Sequence, residues 1–331
     1  MDNMNNIKIL GLGDSILKCK DGSEPFEVVR DIILNTDIVI INLETCLIVR
    51  NKKYPNIKEK SVLLSTYHDE LTWLTVYRYK LLFTLANNHI FDYGDEGYYD
   101  TIKFLKDNQF LFAPLDSFLN ITIKNQPFRI YSLYEGINNE FQYKVLKSNY
   151  IFDPKFCNIV SIHWGHEHVI CPSIKQIELA QSFFTNGAHI ILGHHSHTPQ
   201  AVKLLKDKLC AFSLGNFNMY QFDIKPSKIN KISFMLEINL SKRHVVGYNQ
   251  IPILINDNFK PIINDVFVGY DIINNFVNMN LDLIRKIFYI ISYEAHYSKY
   301  NIINNIIGGW IPRIKKYGLS HFLMMLRWFI S

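Results

Sequence analysis

The chain has 331 residues, of which 48% are hydrophobic and 20% charged, so it can bury a sizeable core. Its formal net charge is +5, and residues 271–331, with seven Lys or Arg against three Asp or Glu, carry +4 of it. The remainder is nearly neutral, which argues against a general nucleic-acid-binding surface there.

Short apolar runs alternate with helical patterns over most of the chain. The runs predict buried strands at Ile7–Gly13, Asp37–Leu43, Lys80–Ala86, Asn158–His163, His189–Leu192 and Leu209–Leu214. The patterns between them predict helices at Pro25–Leu34, Leu64–Tyr77, Asp95–Lys106 and Ile174–Phe184. Two later runs, Lys231–Leu240 and His244–Ile255, predict an antiparallel pair, while Asp107–Tyr150 departs most from this regularity and is a candidate pocket lining. The alternation predicts an α/β fold.

The pattern changes after about residue 267. Aromatic and basic residues are interleaved in predicted helices at Ile272–Ser292, Asn301–Ile307 and Leu319–Ile330. We therefore divide the chain into a domain at residues 1–266 and a helical C-terminal extension at residues 267–331. The extension helices either pack on the domain or a second subunit, which we favour, or make peripheral contact with an anionic membrane surface.

Targeting features and cysteine usage predict a cytoplasmic protein. Residues 1–6 are polar and lack Lys and Arg, which is not the pattern of a signal peptide. No run of 18 uninterrupted apolar residues predicts a membrane-spanning helix. The cysteines are odd in number and form no CxxC pair, so we expect core-filling thiols, with no disulfide framework and no thiolate zinc site. They are Cys19, Cys46, Cys157, Cys171 and Cys210.

Metal-ligand side chains follow most of the predicted strands. They are Asp14, Glu44, Asn88 with His89 and Asp92, His163, and His195 with His197. Seven of the twelve histidines lie between His163 and His197. Because the carboxyl ends of strands converge in open α/β sheets, we expect these side chains to meet. Carboxylate, amide oxygen and imidazole suit Mn, Fe, Zn or Mg, so the sequence predicts a site for one or two divalent ions.

Each of these residues also has a plain structural interpretation. Asp14 alone fits a helix cap or turn, Glu44 a solvated strand end, and His89 a satisfied core histidine. Asn88-His89 followed by Asp92 is more specific, because a carboxylate that orients an imidazole makes a usable general acid. The His195-x-His197 pair after a buried strand is the strongest single indication. No GxSxG elbow or Walker-type loop competes, and the glycines at 11 and 13 lack the third glycine of a dinucleotide loop.

Six motifs in order resemble the CapA family, which is named for bacterial capsule and poly-γ-glutamate biosynthesis and has a calcineurin-like metallophosphoesterase fold. The motifs are Gly13-Asp14, Asn42-Leu43-Glu44-Thr45, Asn87-Asn88-His89-x-x-Asp92-x-Gly94, His163-Trp164-Gly165-x-Glu167, Gly193-His194-His195-x-His197 and Phe212-Ser213-Leu214-Gly215-Asn216-Phe217. The resemblance runs from about residue 7 to about residue 255 and leaves the extension outside.

The resemblance implies a four-layer αββα sandwich with up to two metal ions. The implied ligands are Asp14 and His197 for the first ion, Glu44 as a bridge, and Asn88, His163 and His195 for the second. It further implies that His89 is a general acid oriented by Asp92, and that Gly215 and Asn216 shape the loop behind the metals. Two departures stand out: Ile16 occupies the position of the usual Asp-x-His histidine, and Glu44 replaces the more usual bridging Asp. Many relatives also carry an N-terminal membrane anchor, which this sequence does not show.

Two functions follow from this reading. The first is a metal-dependent hydrolase of phosphate mono- or diesters in capsule or surface-polysaccharide assembly, with a phosphate-bearing or anionic polymer or small molecule as substrate and no nucleic-acid partner. The second is a metal-containing accessory factor that holds polymer intermediates without hydrolysis, which the missing histidine favours.

Overall fold

The strands and helices are taken from a computed structural model that describes residues 6–55, 62–137, 143–144, 150–219 and 231–264. The strands are β1 (Asn6–Ser15), β2 (Ile38–Leu43), β3 (Cys46–Ile48), β4 (Ser65–Tyr67), β5 (Leu81–Thr84), β6 (Leu111–Ala113), β7 (Ser117–Ile123), β8 (Gln126–Tyr134), β9 (Gly136–Ile137), β10 (Tyr143–Lys144), β11 (Cys157–His163), β12 (Ile190–His194), β13 (Val202–Leu205), β14 (Lys208–Ala211), β15 (Asn216–Asn218), β16 (Ile232–Ser241), β17 (His244–Ile255) and β18 (Pro261–Ile263). The α-helices are α1 (Arg30–Leu34), α2 (Gly94–Asp107) and α3 (Ile174–Thr185).

Two large sheets contain most of these strands. The first has eight strands in the order β18-β17-β16-β1-β2-β5-β6, with β15 also paired to β1. The second has six strands in the order β13-β14-β12-β11-β8-β7. Strands β1, β2 and β5 run parallel in the first sheet, and β8, β11, β12 and β14 run parallel in the second. Each sheet therefore brings several carboxyl ends to one edge.

Because side chains alternate along each strand, each sheet packs one face against the other sheet and its opposite face against helices. Ile7 and Ile9 of β1 pack in the cluster shared with the second sheet, whereas Leu10 and Leu12 pack on the side of α2. The opposite face of the second sheet is covered by α3 through Phe183. Each such side chain contributes about 1.5–3 kcal/mol when fully buried. The layer order is helix, sheet, sheet, helix, which confirms the expected αββα sandwich.

Local sequence explains where the two longer helices lie. Helix α2 turns one face, including Thr101 and Phe104, into the core, and carries acidic residues in its first turn that complement the helix dipole. Helix α3 starts at a capping box: the hydroxyl of Ser173 accepts from the Gln176 N–H at 3.1 Å, and the Gln176 side-chain oxygen accepts from the Ser173 N–H at 2.9 Å.

Two expectations about elements were wrong. The predicted helix at Leu64–Tyr77 is β4 followed by two 3-10 turns, because β4 pairs with β3 and the Thr66 hydroxyl donates to the Ile16 carbonyl at 2.6 Å. The predicted helix at Pro25–Leu34 is likewise only a 3-10 turn and the five-residue α1.

The segment Asp107–Tyr150, whose role as a pocket lining stays a prediction, departs from strand–helix alternation: among its described residues, strands β6 to β10 follow one another with no helix between them. Its core is the β7–β8 hairpin, whose two turn residues, Lys124 and Asn125, have φ of 47° and 63°. Positive φ at both central residues is typical of a type I′ turn, which matches the twist of paired strands. The antiparallel pair predicted at Lys231–Leu240 and His244–Ile255 is confirmed as β16 and β17.

The remaining expectations concern cysteines and the C-terminal extension. All five cysteines are free and buried, as expected. Within the described ranges, no helix has both the length and the apolar character needed to cross a bilayer. The extension at residues 267–331, with its predicted helices, lies outside the described residues, and the boundary at residue 266 stays a prediction.

Candidate metal centre

The predicted ligands meet at the edge where the parallel strands of both sheets end. Asp14 lies next to the last residue of β1, Glu44 directly follows β2, and His163 ends β11. His195 and His197 follow β12. Three groups of side chains are close enough to hold a cation, and within each group the ligand atoms all lie within 4.8 Å of one another: Glu44–His163–His195, Asp14–Glu44–His197 and Glu167–His195–His197.

Glu44 is common to the first two groups and is fully buried. Its Oε1 lies 3.6 Å from His163 Nε2 and 3.8 Å from His197 Nε2. Within the described part of the chain, neither carboxylate oxygen has a hydrogen-bond partner. A buried carboxylate without a donor is costly unless a cation compensates it. The position of Glu44 therefore fits a ligand shared between two ions.

Asp14 is fully buried and has several partners. Its Oδ1 accepts from Asn42 Nδ2 at 2.8 Å, and its Oδ2 accepts from the His195 backbone N–H at 3.1 Å. His197 Nδ1 lies 3.4 Å from Asp14 Oδ2. Gly13 permits this placement, because a Cβ there would lie 2.0 Å from the Gly215 carbonyl oxygen, which accepts from the Asp14 N–H.

Asn88 and His163 come together from different sheets. Asn88 Oδ1 lies 2.7 Å from His163 Nε2, and Asn42 Nδ2 lies 3.2 Å from His163 Nδ1. Asn42 thus touches both His163 and Asp14, so one amide links the ends of the two sheets. This arrangement holds the imidazole of His163 with its Nε2 on the side of Glu44.

The backbone is strained at both histidines of the His195-x-His197 pair. Their φ angles are 90° and 53°, in the left-handed region that costs a non-glycine residue about 1–3 kcal/mol. The hydrogen bond from His195 N–H to Asp14, and the 2.9 Å contact of His197 Nδ1 with Asn216 Oδ1, hold this conformation. Strain of this kind concentrates at functional sites.

The electrostatics of the cluster are strongly perturbed. Burial raises the pKa of Glu44 well above its usual value, and the neighbouring Asp14 carboxylate raises it further. For Asp14, burial alone would raise the pKa, but hydrogen bonds from His194 and His197 outweigh it and hold the pKa well below its usual value. Burial would lower the pKa of His197, yet Glu44 and Asp14 raise it to about 10. Burial lowers the pKa of His195 to about 4.

These shifts describe a buried cluster in which carboxylates and imidazoles compete for protons. A divalent cation would replace the proton on His197 and neutralise Glu44, since carboxylates and neutral imidazoles are its usual ligands. The donor set therefore fits a metal ion of the Mn, Fe, Zn or Mg type.

His89 and Asp92 form a separate pair beside the cluster. His89 Nδ1 lies 2.6 Å from Asp92 Oδ2, and the same oxygen accepts from the Leu64 N–H at 2.7 Å. Asp92 is fully buried and His89 is 8% exposed. The carboxylate fixes the proton on Nδ1, which leaves Nε2 for proton exchange.

Sequence reasoning assigned no role to three residues that the fold brings to the site. Asn42 bridges Asp14 and His163, and His194 Nδ1 lies 3.2 Å from Asp14 Oδ1. Glu167 forms the third ligand group with His195 and His197. All three lie inside the six motifs, so their positions in those motifs were the available signal. Ile16, at the position of the missing histidine, is buried in an apolar cluster with Leu64 and Met219.

Comparison with known proteins gives a consistent match over this part of the chain. The family model for "Bacterial capsule synthesis protein PGA_cap" matches residues 7–113 and 148–221. These ranges contain every residue of the candidate centre.

Two curated proteins are similar to this chain. The capsule biosynthesis protein CapA of Bacillus anthracis is 30% identical over 224 residues, which are 58% of this chain and 53% of that protein. The PGA biosynthesis protein CapA of Bacillus subtilis (strain 168) is 27% identical over 226 residues, 62% of this chain and 59% of that protein. The matched region thus spans little more than half the length of these relatives.

One solved structure is more distant. The protein TT1561 of Thermus thermophilus gives a TM-score of 0.39 at 10% identity, covering 74% of this chain and 98% of that one. Similarity at this level carries no conclusion about function.

Proposed function

The chain belongs to the PGA_cap family of bacterial capsule synthesis proteins, the CapA family, which is related to calcineurin-like metallophosphoesterases. From this premise we propose that it is a metal-dependent phosphoesterase acting in capsule or poly-γ-glutamate biosynthesis. The observation that carries the proposal is the fully buried carboxylate of Glu44, which accepts no hydrogen bond among the described residues and lies at the junction of two ligand groups. Its substrate is a phosphate mono- or diester on an anionic polymer or small molecule.

The ligand groups divide as the two halves of a dinuclear centre would. Asp14, Glu44 and His197 would hold one ion, and Glu44, His163 and His195, with Asn88 beside His163, would hold the other. Metal bound there would supply a Lewis acid at a phosphoryl oxygen and positive charge for the developing oxyanion.

His89 and Asp92 supply the proton in this proposal. Asp92 holds His89 through Nδ1, so that Nε2 faces away from the carboxylate and a proton on Nε2 can pass to the leaving oxygen. The Leu64 N–H holds Asp92 Oδ2 in place, so the pair is oriented before substrate arrives.

The direct test uses purified, metal-loaded protein with aryl phosphate mono- and diesters of graded leaving-group pKa. We expect wild-type hydrolysis, with His89→Ala and Asp92→Asn lowering kcat by about 10²–10⁴-fold for poor leaving groups. The loss should shrink for p-nitrophenyl esters, because a good leaving group needs little protonation. Equal activity of wild type and His89→Ala on every ester would remove His89 from this role.

A second function is favoured by one specific observation. Ile16 supplies no imidazole and is buried in an apolar cluster, so the Asp14 group has one ligand fewer than the usual first-metal site. An accessory factor that holds polymer intermediates without hydrolysis would need only one ion. Metal content per chain separates the two functions: two ions favour the hydrolase, and one or none favours the accessory role.

A further inference from the structure

Glu167 lies in the loop that follows β11, four residues after His163. Its carboxylate oxygen and the ligand nitrogens of His195 and His197 all lie within 4.8 Å of one another. Three atoms at that separation lie within about 2.8 Å of a common point, slightly beyond the roughly 2.0–2.2 Å of a zinc–nitrogen or zinc–oxygen bond. We propose that Glu167 is a further protein ligand for a divalent cation in this centre, on the side that His195 and His197 share. The inference rests on the proposed metal dependence and adds a residue to it.

The loop that carries Glu167 is fastened to the loop that carries the two histidines. The His168 N–H donates to the Ser196 carbonyl at 2.6 Å, and the Val169 carbonyl accepts from the Thr198 hydroxyl at 3.0 Å. The Gln200 side-chain amide donates to the same Val169 carbonyl at 2.7 Å. Bonds on the C-terminal side of Glu167 therefore fix its distance from His195 and His197. A ligand held in this way requires little ordering when it binds a cation.

The Asp14–Glu44–His197 group has fewer side chains than a metal ion usually binds, so a further ligand can be added. Protein-bound zinc and its relatives take four or more ligands, whereas the Asp14–Glu44–His197 group offers three side chains. Ile16 cannot contribute a fourth. Glu167 reaches solvent, with a side chain 36% exposed, whereas Glu44 is fully buried. The ligands of the centre then include two fully buried carboxylates, Asp14 and Glu44, and one that reaches solvent, Glu167.

A different explanation is that Glu167 only balances the charge of nearby histidines. His168 Nε2 lies 3.8 Å from Glu167 Oε2, so an ion pair with a protonated histidine is available. The two explanations differ in what they predict. A ligand bonds the cation directly, so its loss removes a bound ion or most of the affinity, whereas a counter-charge acts only through space and changes the affinity less.

The test compares wild type with Glu167→Gln and with Glu135→Gln as a matched control. Glu135 directly follows β8, beside β11, and its buried carboxylate lies 2.6 Å from Lys175 Nζ, outside all three ligand groups. Each protein is stripped with EDTA and titrated with Mn²⁺ and Zn²⁺ by calorimetry. Melting in EDTA checks the fold, and the rise in Tm on adding metal gives a second measure of affinity.

We expect Glu167→Gln to lose one bound ion, or to bind Mn²⁺ and Zn²⁺ more than about 100-fold more weakly, which exceeds the loss of about 10–100-fold that follows removal of an outer-shell partner. A smaller loss with unchanged stoichiometry is the outcome for a counter-charge and would contradict the inference. Glu135→Gln should bind as wild type does. Equal affinity and stoichiometry in wild type and Glu167→Gln would overturn the inference and leave the proposed function standing. If wild type itself bound neither metal, the proposed function would fall, and this inference with it.

Discussion

At the scale of one residue, the burial of Glu44 lowers the stability of the fold unless a cation compensates its charge. Its carboxylate is fully buried and finds no hydrogen-bond donor among the residues that the structure describes. Burial and the charge of Asp14 both disfavour its ionised form. Such a group destabilises the metal-free fold, and the same group becomes favourable once a cation compensates it.

We therefore expect Glu44→Gln to separate the two effects. At pH 8 the metal-free variant should be more stable than wild type by about 1–2 kcal/mol, because the fold no longer buries an acid whose ionised form the site disfavours. The rise in stability on adding Mn²⁺ or Zn²⁺ should be much smaller in the variant. Urea denaturation with and without metal measures both quantities. A metal-free variant less stable than wild type, with an undiminished metal effect, would contradict this account.

At the scale of the element, the ends of two strands depend on close backbone approach. A Cβ at Gly193, in β12, would lie 1.9 Å from the Phe212 carbonyl oxygen. That oxygen accepts from the indole Nε1–H of Trp164, which is fully buried, at 2.9 Å. The close approach of Gly193 to Phe212 places the end of β12 against Trp164, in the loop after β11. Gly193 lies two residues before His195. The path of the strand and the position of the ligand are therefore coupled.

Gly193→Ala should be costly for this reason. The added methyl must push apart the end of β12 and the Phe212 backbone, so we expect destabilisation by about 2–3 kcal/mol together with weaker metal binding. Chemical denaturation and metal titration of the variant measure the two effects.

Gly247 supplies the matched control on another strand. A Cβ at Gly247, in β17, meets nothing within 4 Å among the described residues, so Gly247→Ala should be neutral or slightly stabilising. Similar destabilisation by both substitutions would show that the loss at Gly193 reflects a general intolerance of strand alanines and has nothing to do with the close contact.

At the scale of the whole molecule, the end of the second sheet opposite the metal centre carries its own titrating group. The Asn158 N–H donates to His189 Nδ1 at 3.1 Å, which requires that nitrogen to be unprotonated. Burial lowers the pKa of His189 to about 4, and the nearby charges of Lys208 and Arg243 act in the same direction. The folded protein therefore resists protonation of a group that the unfolded chain protonates near pH 6.5.

The sign of the effect on stability follows from linkage. Because the folded pKa lies below the unfolded value, the contribution is fully present above about pH 6.5 and is lost as the pH falls towards 4. His189→Asn keeps an acceptor near the Asn158 N–H but does not titrate. We expect wild type to lose about 1–2 kcal/mol more than the variant over this range, after allowance for solvent screening. Denaturation of both metal-free proteins from about pH 4 to about pH 8 measures the difference, and parallel pH profiles would contradict it.

Particular elements show how much of the fold can be predicted from the sequence. The buried strands were predictable, because runs such as Asp37–Leu43 are apolar, short and bounded by polar residues. The structure of the segment Leu64–Tyr77 was not predictable, because its leucine spacing is typical of a helix. Pairing of β4 with β3 and the hydrogen bond from the Thr66 hydroxyl to the Ile16 carbonyl hold its start extended. Tertiary contacts overrode local periodicity there.

By itself the sequence determined the α/β alternation, the order of the six motifs and the types of ligand that the strands deliver. The tertiary structure decided which of them meet. That Asn42 joins Asp14 to His163, that Glu44 has no donor among the described residues, and that Glu167 approaches His195 and His197 depend on how two sheets stack and how their end loops bond. Asn42 and His163 are 121 positions apart in the chain, and short-range patterns carry no information about contacts of that kind.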